Sequence, residues 1–392
     1  MRKDGGSAMV NGDMIRDFRV HVHHLAERVS RSRLFDIVGT IGMQNSPPGA
    51  WEQAVFNRVR GVTAAELRHV LEEGNALCQA WSFRGAPVVF PSRDSNVFLD
   101  ALIAEKGEEP WIYTAGLVPS LDKLGLDYAT LLALVVDATG GVLQPGVTVV
   151  GKTQLDTLVA KQVEEQLPVT QIAAWQNPSP YGANQTLGQA AVSFMLRPAS
   201  FLGQVAFGPR RGQTPTFIHP TLPPAVDGAR ELVRRFVHAY GPTNRQEFTK
   251  WLGSSTAQGK RLWRLIKQEV TQVNGGVMLT EDLPALTELH SLGGVRLLGP
   301  HDPFLDANGR DLLLADKQKQ RQVWRTVGNP GAVLNQGQIV GSWRQQRKQR
   351  DKLTITVTPF SPFSSELKKE IAAEAQDYAD FLRVTDHELT YN

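Results

Sequence analysis

The chain has almost no cysteine and no long apolar run. Cys78 is the single cysteine among 392 residues, which excludes a disulfide within the chain and suits a small core side chain in a reducing compartment. Apolar stretches such as residues 131–136 are far shorter than the roughly 20 residues that a membrane-spanning helix needs. The polar amino terminus lacks the apolar core of a signal peptide. We therefore expect a cytoplasmic protein that does not contact a membrane.

The chain also lacks a strong net charge, since 42 Lys and Arg against 39 Asp and Glu leave only +3. The charges are unevenly placed. Basic clusters lie near the amino terminus and in the last quarter of the chain, and the final segment is acidic: Arg16, Arg19, Arg28, Arg31 and Arg33; Arg344, Arg347, Lys348, Arg350 and Lys352; Glu366, Glu370, Glu374, Asp377 and Asp380. Basic patches on a near-neutral chain are typical of proteins that bind a polyanion, although each cluster alone also fits a solvated face.

Metal-binding patterns are absent as well. His21, His23 and His24 lie close together, but no Cys or carboxylate stands at ligand spacing from them. We expect an exposed histidine-rich helix end there, and the sequence implies no metal. Residues 146–153 match a phosphate-binding loop letter by letter, but their interior is apolar and β-branched. We interpret that match as accidental, with Thr153 capping the next helix, and we assign His301 and Asp302 to a turn.

Residues 228–283 have the pattern of a helix–turn–helix with a wing. An apolar helix face recurs at three- and four-residue steps through Leu232, Val233, Phe236 and Tyr240. Gly241 with Pro242 ends that helix, and Thr243 with Gln246 predicts a capping box for a second one.

A third helix and a hairpin complete this unit. Ser254 and Ser255 are expected to cap the helix, and Asn274-Gly275-Gly276 provides the positive φ angles of a tight turn. Its apolar residues are predicted inward and its basic residues outward: Leu262, Leu265 and Ile266 against Lys260, Arg261, Arg264 and Lys267. Winged-helix modules meet DNA with such a helix and hairpin, although many only stack on their neighbours.

Helices followed by a hairpin recur about three times, without clear sequence repeats. Thr63 with Glu66 caps a helix before the first hairpin, and the second hairpin has Arg210 and Arg211 at its tip. Strand patterns replace helices after Pro300, and residues 365–382 form an amphipathic helix. The predicted fold class is α+β: winged-helix domains at 13–112, 113–222 and 223–294, then a small antiparallel β-barrel-like domain at 295–392.

Four segments of this pattern resemble the winged-helix DNA glycosylases of the AlkZ and YcaQ type, the crosslink-repair glycosylases. They are AWSFRG at 80–85, YGP to WLG at 240–253, VRLL with HDPF at 295–304, and IVGSWR at 339–344. The resemblance covers most of the chain. It implies tandem winged helices that form a concave DNA-binding scaffold, followed by a β-barrel-like part. It also implies removal of alkylated purines, and for some members the unhooking of interstrand crosslinks.

The family's active-site motif is glutamine, an aliphatic residue, then glutamine or aspartate. The aligned residues here are Gly42, Met43 and Gln44, so Gln44 matches the second position and Gly42 replaces the first glutamine. Val88 stands where many members have a histidine. Gln44 could hold a water by hydrogen bonding, which suffices when alkylation has made the purine a good leaving group. Asn45 is the neighbouring residue that could compensate for Gly42; a helix-terminal structural role for Gln44 is the alternative.

The resemblance implies a monofunctional DNA glycosylase that hydrolyses the N-glycosidic bond of alkylated or bulky purine adducts through Gln44, without metal or organic cofactor. Its partner would be double-stranded DNA, alkylated or crosslinked. Cations on wings and third helices are the predicted DNA contacts: Arg84, Arg210, Arg211, Lys260, Arg261, Arg264 and Arg344. Two other hypotheses stay open: a catalytically inactive winged-helix DNA-binding or regulatory protein, and an interaction protein that binds no DNA.

Overall fold

The computed structural model describes residues 10–108, 114–224, 227–288, 292–306, 309–349 and 351–392. The predicted boundary between residues 112 and 113, Arg350 and the side chain of Lys348 lie outside the described part. The helices are α1 Gly12–Val22, α2 Leu34–Gly39, α3 Ala50–Phe56, α4 Ala64–Glu73, α5 Ser95–Phe98, α6 Val118–Leu124, α7 Tyr128–Val142, α8 Lys152–Glu164, α9 Val169–Gln176, α10 Leu187–Phe201, α11 Ala229–Tyr240, α12 Arg245–Leu252, α13 Thr256–Trp263, α14 Ala285–Glu288, α15 Arg310–Leu313, α16 Lys317–Val323 and α17 Ser365–Phe381. The strands are β1 Met43–Gln44, β2 Leu77–Trp81, β3 Pro87–Pro91, β4 Val149–Val150, β5 Ala206–Arg211, β6 Thr214–Ile218, β7 Val270–Val273, β8 Gly276–Leu279, β9 Arg296–Leu298, β10 Gly331–Asn335, β11 Gln338–Gln349, β12 Lys352–Pro359 and β13 Asp386–Tyr391. The predicted α+β class is confirmed.

The first two predicted hairpins join into one sheet. Its strand order is β1-β3-β2-β5-β6-β4, and Gln79 pairs with Phe207 where the two hairpins meet. The helices α7, α8 and α10 bury their apolar faces together beside this sheet, with Trp175 and Phe217 in that core. The helix before the second hairpin runs to Phe201, and the first strand of that hairpin begins at Ala206.

The third unit has the predicted order of helices and hairpin, with local differences. Asn244 caps α12 by accepting from Glu247 N–H, so the predicted Thr243–Gln246 box is wrong by one residue. Thr243 instead bridges to Val277 of the hairpin. The turn at Asn274 and Gly275 has φ values of 47° and 79°, as predicted. Leu265, predicted inward, is 41% exposed.

The third unit shares its hydrophobic core with the first hairpin. Phe236, Phe248 and Trp251 pack in one cluster with Phe83 and Val88. Phe83 stacks on Trp251 with ring centroids 4.4 Å apart. These contacts fix the first hairpin against helices more than 150 residues later in the chain.

The carboxy-terminal sheet is open. Its order is β13-β12-β11-β10-β9, and β13, which the sequence reasoning missed, runs parallel to β12. Among the described strands, β9 and β13 do not pair with each other, so the predicted barrel does not close. The terminal helix α17 packs on this sheet and on α3 through Tyr378, which contacts Trp343 and Phe56. The sheet therefore lies against the region of residues 43–56.

Two buried side chains bear on the sequence predictions. Cys78 is 7% exposed in the core of the first hairpin, as predicted, and burial raises the pKa of its thiol to about 12. His23, predicted to be exposed, is 2% exposed and its Nε2 lies 3.1 Å from the carbonyl oxygen of Ala239.

Within the described residues no single helix has the length and apolarity to cross a bilayer; only the bent pair Ala115–Leu124 and Tyr128–Val142 passes that test when taken together.

Candidate active site and nucleic-acid interface

Gln44 lies on a short edge strand. It is the last residue of β1, which pairs with β3 so that Met43 faces Val89 and Gln44 faces Val88. The Gln44 side chain is half-buried, and its Nε2 donates to the Ser46 carbonyl oxygen at 3.2 Å. No other hydrogen bond joins this side chain to the part of the chain that the structure describes. Its Oε1 is therefore available to accept a hydrogen bond from water.

Gly42 and Val88 are the two departures from the family pattern, and they touch. Gly42 has a φ of +74°, a backbone conformation that residues with a side chain rarely adopt. A Cβ at this position would lie 2.7 Å from Val88 Cγ1 and 3.0 Å from Phe98 Cε1. The site therefore has no room for a glutamine at position 42 in the present packing.

Asn45 holds the loop that follows Gln44. It is 8% exposed, and its Nδ2 donates to Gln79 Oε1 at 3.0 Å. Its Oδ1 accepts from Gly49 N–H at 2.8 Å. Both ends of the carboxamide are thus used inside the protein. The prediction that Asn45 could compensate for Gly42 does not fit this geometry.

Two buried polar residues follow on the first turn of α3. Glu52 and Gln53 are each 5% exposed, and Glu52 Oε2 and Gln53 Nε2 have no hydrogen-bond partner among the described residues. Arg68 Nη2 lies 3.8 Å from Glu52 Oε1, but burial dominates and raises the pKa of the Glu52 carboxyl. Sequence reasoning missed both residues, because an acid in the first turn of a helix is ordinary there.

A cleft of about 410 Å³ opens beside this turn. We call it the proline cleft, because its walls include Pro47, Pro48, Pro300 and Pro330. Polar groups also line it: Gln53, Asn329, Arg344, Gln345 and Arg347. A neighbouring cleft of about 550 Å³ shares Arg344 and adds Arg325. None of the described residues that line these two clefts is Asp or Glu, and Gln44 is not among them. The lining is therefore cationic.

Two of the predicted DNA contacts are engaged within the protein. Arg84 Nη2 donates to Asp306 Oδ2 at 2.6 Å, and its Nη1 donates to the Trp251 carbonyl oxygen at 3.2 Å. Arg261 binds the Glu108 carboxylate through bonds of 2.7 and 2.9 Å. Both arginines connect segments more than 150 residues apart.

The other predicted cations lie at the surface. Arg211, Lys260 and Arg264 are exposed, whereas Arg210 is half-buried and donates to the carbonyl oxygen of Gln213 in its own hairpin. Arg344 is exposed and donates from Nη2 to the Gly328 carbonyl oxygen at 2.8 Å. Their roles toward DNA stay predictions.

Two other motifs have structural roles. Asp302 binds buried Arg58 through bonds of 2.8 and 2.7 Å and accepts from Phe304 N–H, which fits the predicted turn. Lys152 pairs with Asp156, and α8 starts after Gly151, so the prediction that Thr153 caps this helix is wrong. Within the described ranges no group of three or more His, Cys, Asp or Glu side chains is arranged to hold a metal.

Comparisons with known proteins agree with this architecture. The family model described as "DNA glycosylase AlkZ-like" matches residues 37–381. An interstrand DNA cross-link repair glycosylase of Streptomyces sahachiroi is 25% identical over 370 residues, which cover 88% of this chain and 89% of the relative. The structure of DNA glycosylase AlkZ from the same organism superposes with a TM-score of 0.75 at 20% identity, covering 98% of this chain and 100% of that chain. Because the family model spans well over half of the sequence, this chain belongs to the AlkZ-like DNA glycosylase family.

Proposed function

We propose that this protein is a monofunctional DNA glycosylase that hydrolyses the N-glycosidic bond of alkylated or bulky purine adducts in double-stranded DNA. Family membership supports the glycosylase class, and the similarity to a cross-link repair glycosylase extends the proposed substrates to crosslinked duplex. The proposal includes no metal or organic cofactor.

The orientation of Gln44 carries the proposal. Its Nε2 is held by the Ser46 carbonyl oxygen, so its Oε1 can accept from a water placed beneath the anomeric carbon. A carboxamide cannot take the water's proton, so Gln44 orients the water and stabilises the charge that develops on the sugar. The proton of the water passes to bulk solvent as the bond from C1′ to the water oxygen forms and the bond from C1′ to the purine breaks. This assistance is sufficient when alkylation at N7 has made the purine cationic, because the base then leaves as a neutral molecule.

DNA binding is proposed to use the three helix-and-hairpin units as winged helices, together with the cationic clefts of the carboxy-terminal sheet. The proposed contacts are the surface cations Arg211, Lys260, Arg264 and Arg344, with Arg210 at the second hairpin. Arg84 and Arg261 are proposed to support this surface, since both are paired to acidic side chains inside the protein. Phosphate neutralisation makes such binding depend on salt.

A duplex that carries a single N7-methylguanine tests the proposal. The wild-type protein is expected to release the modified base and leave an abasic site, which alkali converts to a strand break. Unmodified duplex of the same sequence is the control. No release from this duplex, or from one with a bulky N7 adduct, would remove the proposed activity.

A DNA-binding protein without excision activity is the second candidate, and Gly42 favours it. The first glutamine of the family motif is missing, and Val88 occupies the space that its side chain would need. This candidate predicts salt-dependent binding of duplex DNA with no base release.

A further inference from the structure

Gln79 is a buried polar residue that the reaction proposed above does not use. It lies on β2 with 9% of its surface exposed, and its Oε1 accepts a hydrogen bond from Asn45 Nδ2 at 3.0 Å. We propose that Gln79 is a positioning residue for the glycosylase reaction, because it holds the loop that orients the Gln44 carboxamide. This inference rests on the proposed function and adds to it a residue that acts only through Gln44.

The main chain of Gln79 is fixed on both sides. It pairs with Val89 of β3 and with Phe207 of β5, so it lies on an inner strand of the sheet, where the first two hairpins join. The strand β2 also packs against the helices α4 and α10. A side chain that starts from such a strand has a more precise position than one on a loop. Gln79 is therefore a rigid anchor for the sheet edge that carries Gln44.

A main-chain donor determines the direction of the hydrogen bonds through Asn45. The N–H of Gly49 can only donate, so the carboxamide oxygen of Asn45 faces it, at 2.8 Å. The amino group of Asn45 then faces Gln79, which accepts with Oε1. The main-chain N–H of Asn45 donates to the Pro87 carbonyl oxygen at 2.8 Å. Asn45 is thus held at three points, and Gln79 provides the one that a side chain can remove.

The loop from Asn45 to Gly49 contains the group that orients Gln44. The bond between Asn45 and Gly49 closes this loop, and Gln44 Nε2 donates to the Ser46 carbonyl oxygen within it at 3.2 Å. A shift of Ser46 therefore moves the Gln44 carboxamide, and with it the Oε1 that is proposed to hold the water. A displacement of about 1 Å can slow a reaction about 100-fold.

Gln79→Met tests the inference, because it removes the acceptor oxygen and keeps a side chain of similar length. Single-turnover release of N7-methylguanine from duplex DNA is expected to slow by about 10- to 100-fold, while the affinity for that duplex stays within about twofold. Gln320→Met is the matched control. Gln320 on α16 is also 9% exposed, and its Nε2 donates to the Leu314 carbonyl oxygen at 2.7 Å. This control is expected to leave the rate of release unchanged.

The same substitution in a Gln44→Ala background separates positioning from a general structural role. If Gln79 acts through Gln44, Gln79→Met is expected to slow Gln44→Ala no further. Slowing by the same factor as in the wild type would overturn the inference.

A conservative variant of Asn45 provides the rescue comparison. An aspartate at this position still accepts from the Gly49 N–H, and Gln79 can turn its amide to donate with Nε2. Asn45→Asp is therefore expected to keep most of the rate that Asn45→Leu loses. Equal loss in the two variants would contradict a role of these hydrogen bonds in positioning Gln44.

Hydrogen exchange measures the state of the loop without any activity. A peptide that covers residues 44–50 has few amide hydrogens, since Pro47 and Pro48 carry none, and it includes the Gly49 amide that is bonded to Asn45. By mass spectrometry, this amide is expected to exchange about fivefold faster in Gln79→Met than in the wild type, the value of one hydrogen bond. The exchange is expected to stay unchanged in Gln320→Met.

The outcomes separate the inference from the proposed function. If the wild type releases no base, the glycosylase proposal fails, and the exchange measurement alone decides whether Gln79 holds the loop. If the wild type is active and Gln79→Met releases the base equally fast, the inference is overturned and the glycosylase proposal stands. Unchanged exchange of the Gly49 amide in Gln79→Met overturns the inference in either case.

Discussion

The contact between Gly42 and Val88 predicts a specific energetic coupling. Gly42→Ala places a Cβ at a φ of +74° and 2.7 Å from Val88 Cγ1. The backbone conformation costs about 1–2 kcal/mol for a residue with a side chain. The overlap adds roughly 1–3 kcal/mol, as for other overpacked cores. The free energy of unfolding is therefore expected to fall by about 2–5 kcal/mol.

Shortening Val88 should relieve only the overlap. Val88→Ala alone removes two methyl groups from a side chain with no exposed area and is expected to cost about 2 kcal/mol. In the double variant the new Cβ occupies the space that the Val88 methyl groups leave. The loss of unfolding free energy in the double variant is therefore expected to be about 1–2 kcal/mol smaller than the sum of the losses in the two single variants. The backbone cost at position 42 remains.

Urea unfolding of the wild type, both single variants and the double variant measures this coupling. Additive effects, or a Gly42→Ala variant as stable as the wild type, would refute the packing described here. The same reasoning predicts that Gly42→Gln, which restores the family's first glutamine, folds better when Val88 is shortened as well.

Three further predictions follow from ion pairs, burial and surface charge. Arg58→Ala leaves the carboxylate of Asp302 buried without its partner, and chemical denaturation should show a loss of about 3–5 kcal/mol. Burial, with Arg58 nearby, lowers the pKa of His24 from 6.5 to about 4, so the unfolded chain binds more protons between these values. The unfolding midpoint should therefore fall as the pH drops from about 6.5 towards 4, and less so in His24→Gln; an equal fall in both would contradict this assignment. Arg344→Ala should reduce the slope of log affinity for duplex DNA against log salt by about one, whereas a constant slope would exclude a phosphate contact.

Local structure could be predicted where neighbouring residues decide it. The third unit is an example: the helix that ends at Gly241 and the turn at Asn274 and Gly275 follow from periodicity and from the conformations that these residues allow. The joining of the first two hairpins into one sheet was not predictable, since it rests on pairing between Gln79 and Phe207, 128 residues apart. The strand β13 was missed for the same reason, because its partner is a distant parallel strand.

The residues of the candidate site also fall into those that local sequence predicts and those whose role depends on distant contacts. Gln44 could be identified because the family motif is local, whereas the contact that excludes a side chain at Gly42 depends on Val88 across the sheet. Arg84 and Arg261 were predicted as surface cations because their partners, Asp306 and Glu108, are distant in sequence. No pattern marked Gln53, since its importance comes from burial and from a missing hydrogen-bond partner.

The role of Gln44 is tested most directly by measuring excision and DNA binding on the same variant. Gln44→Ala removes the carboxamide from a half-buried strand edge, where it makes a single bond to the Ser46 carbonyl oxygen within the described structure. Under single-turnover conditions the release of N7-methylguanine should slow by about 100-fold or more, while the affinity for the same duplex stays within about twofold. An unchanged rate of release in Gln44→Ala would contradict the account.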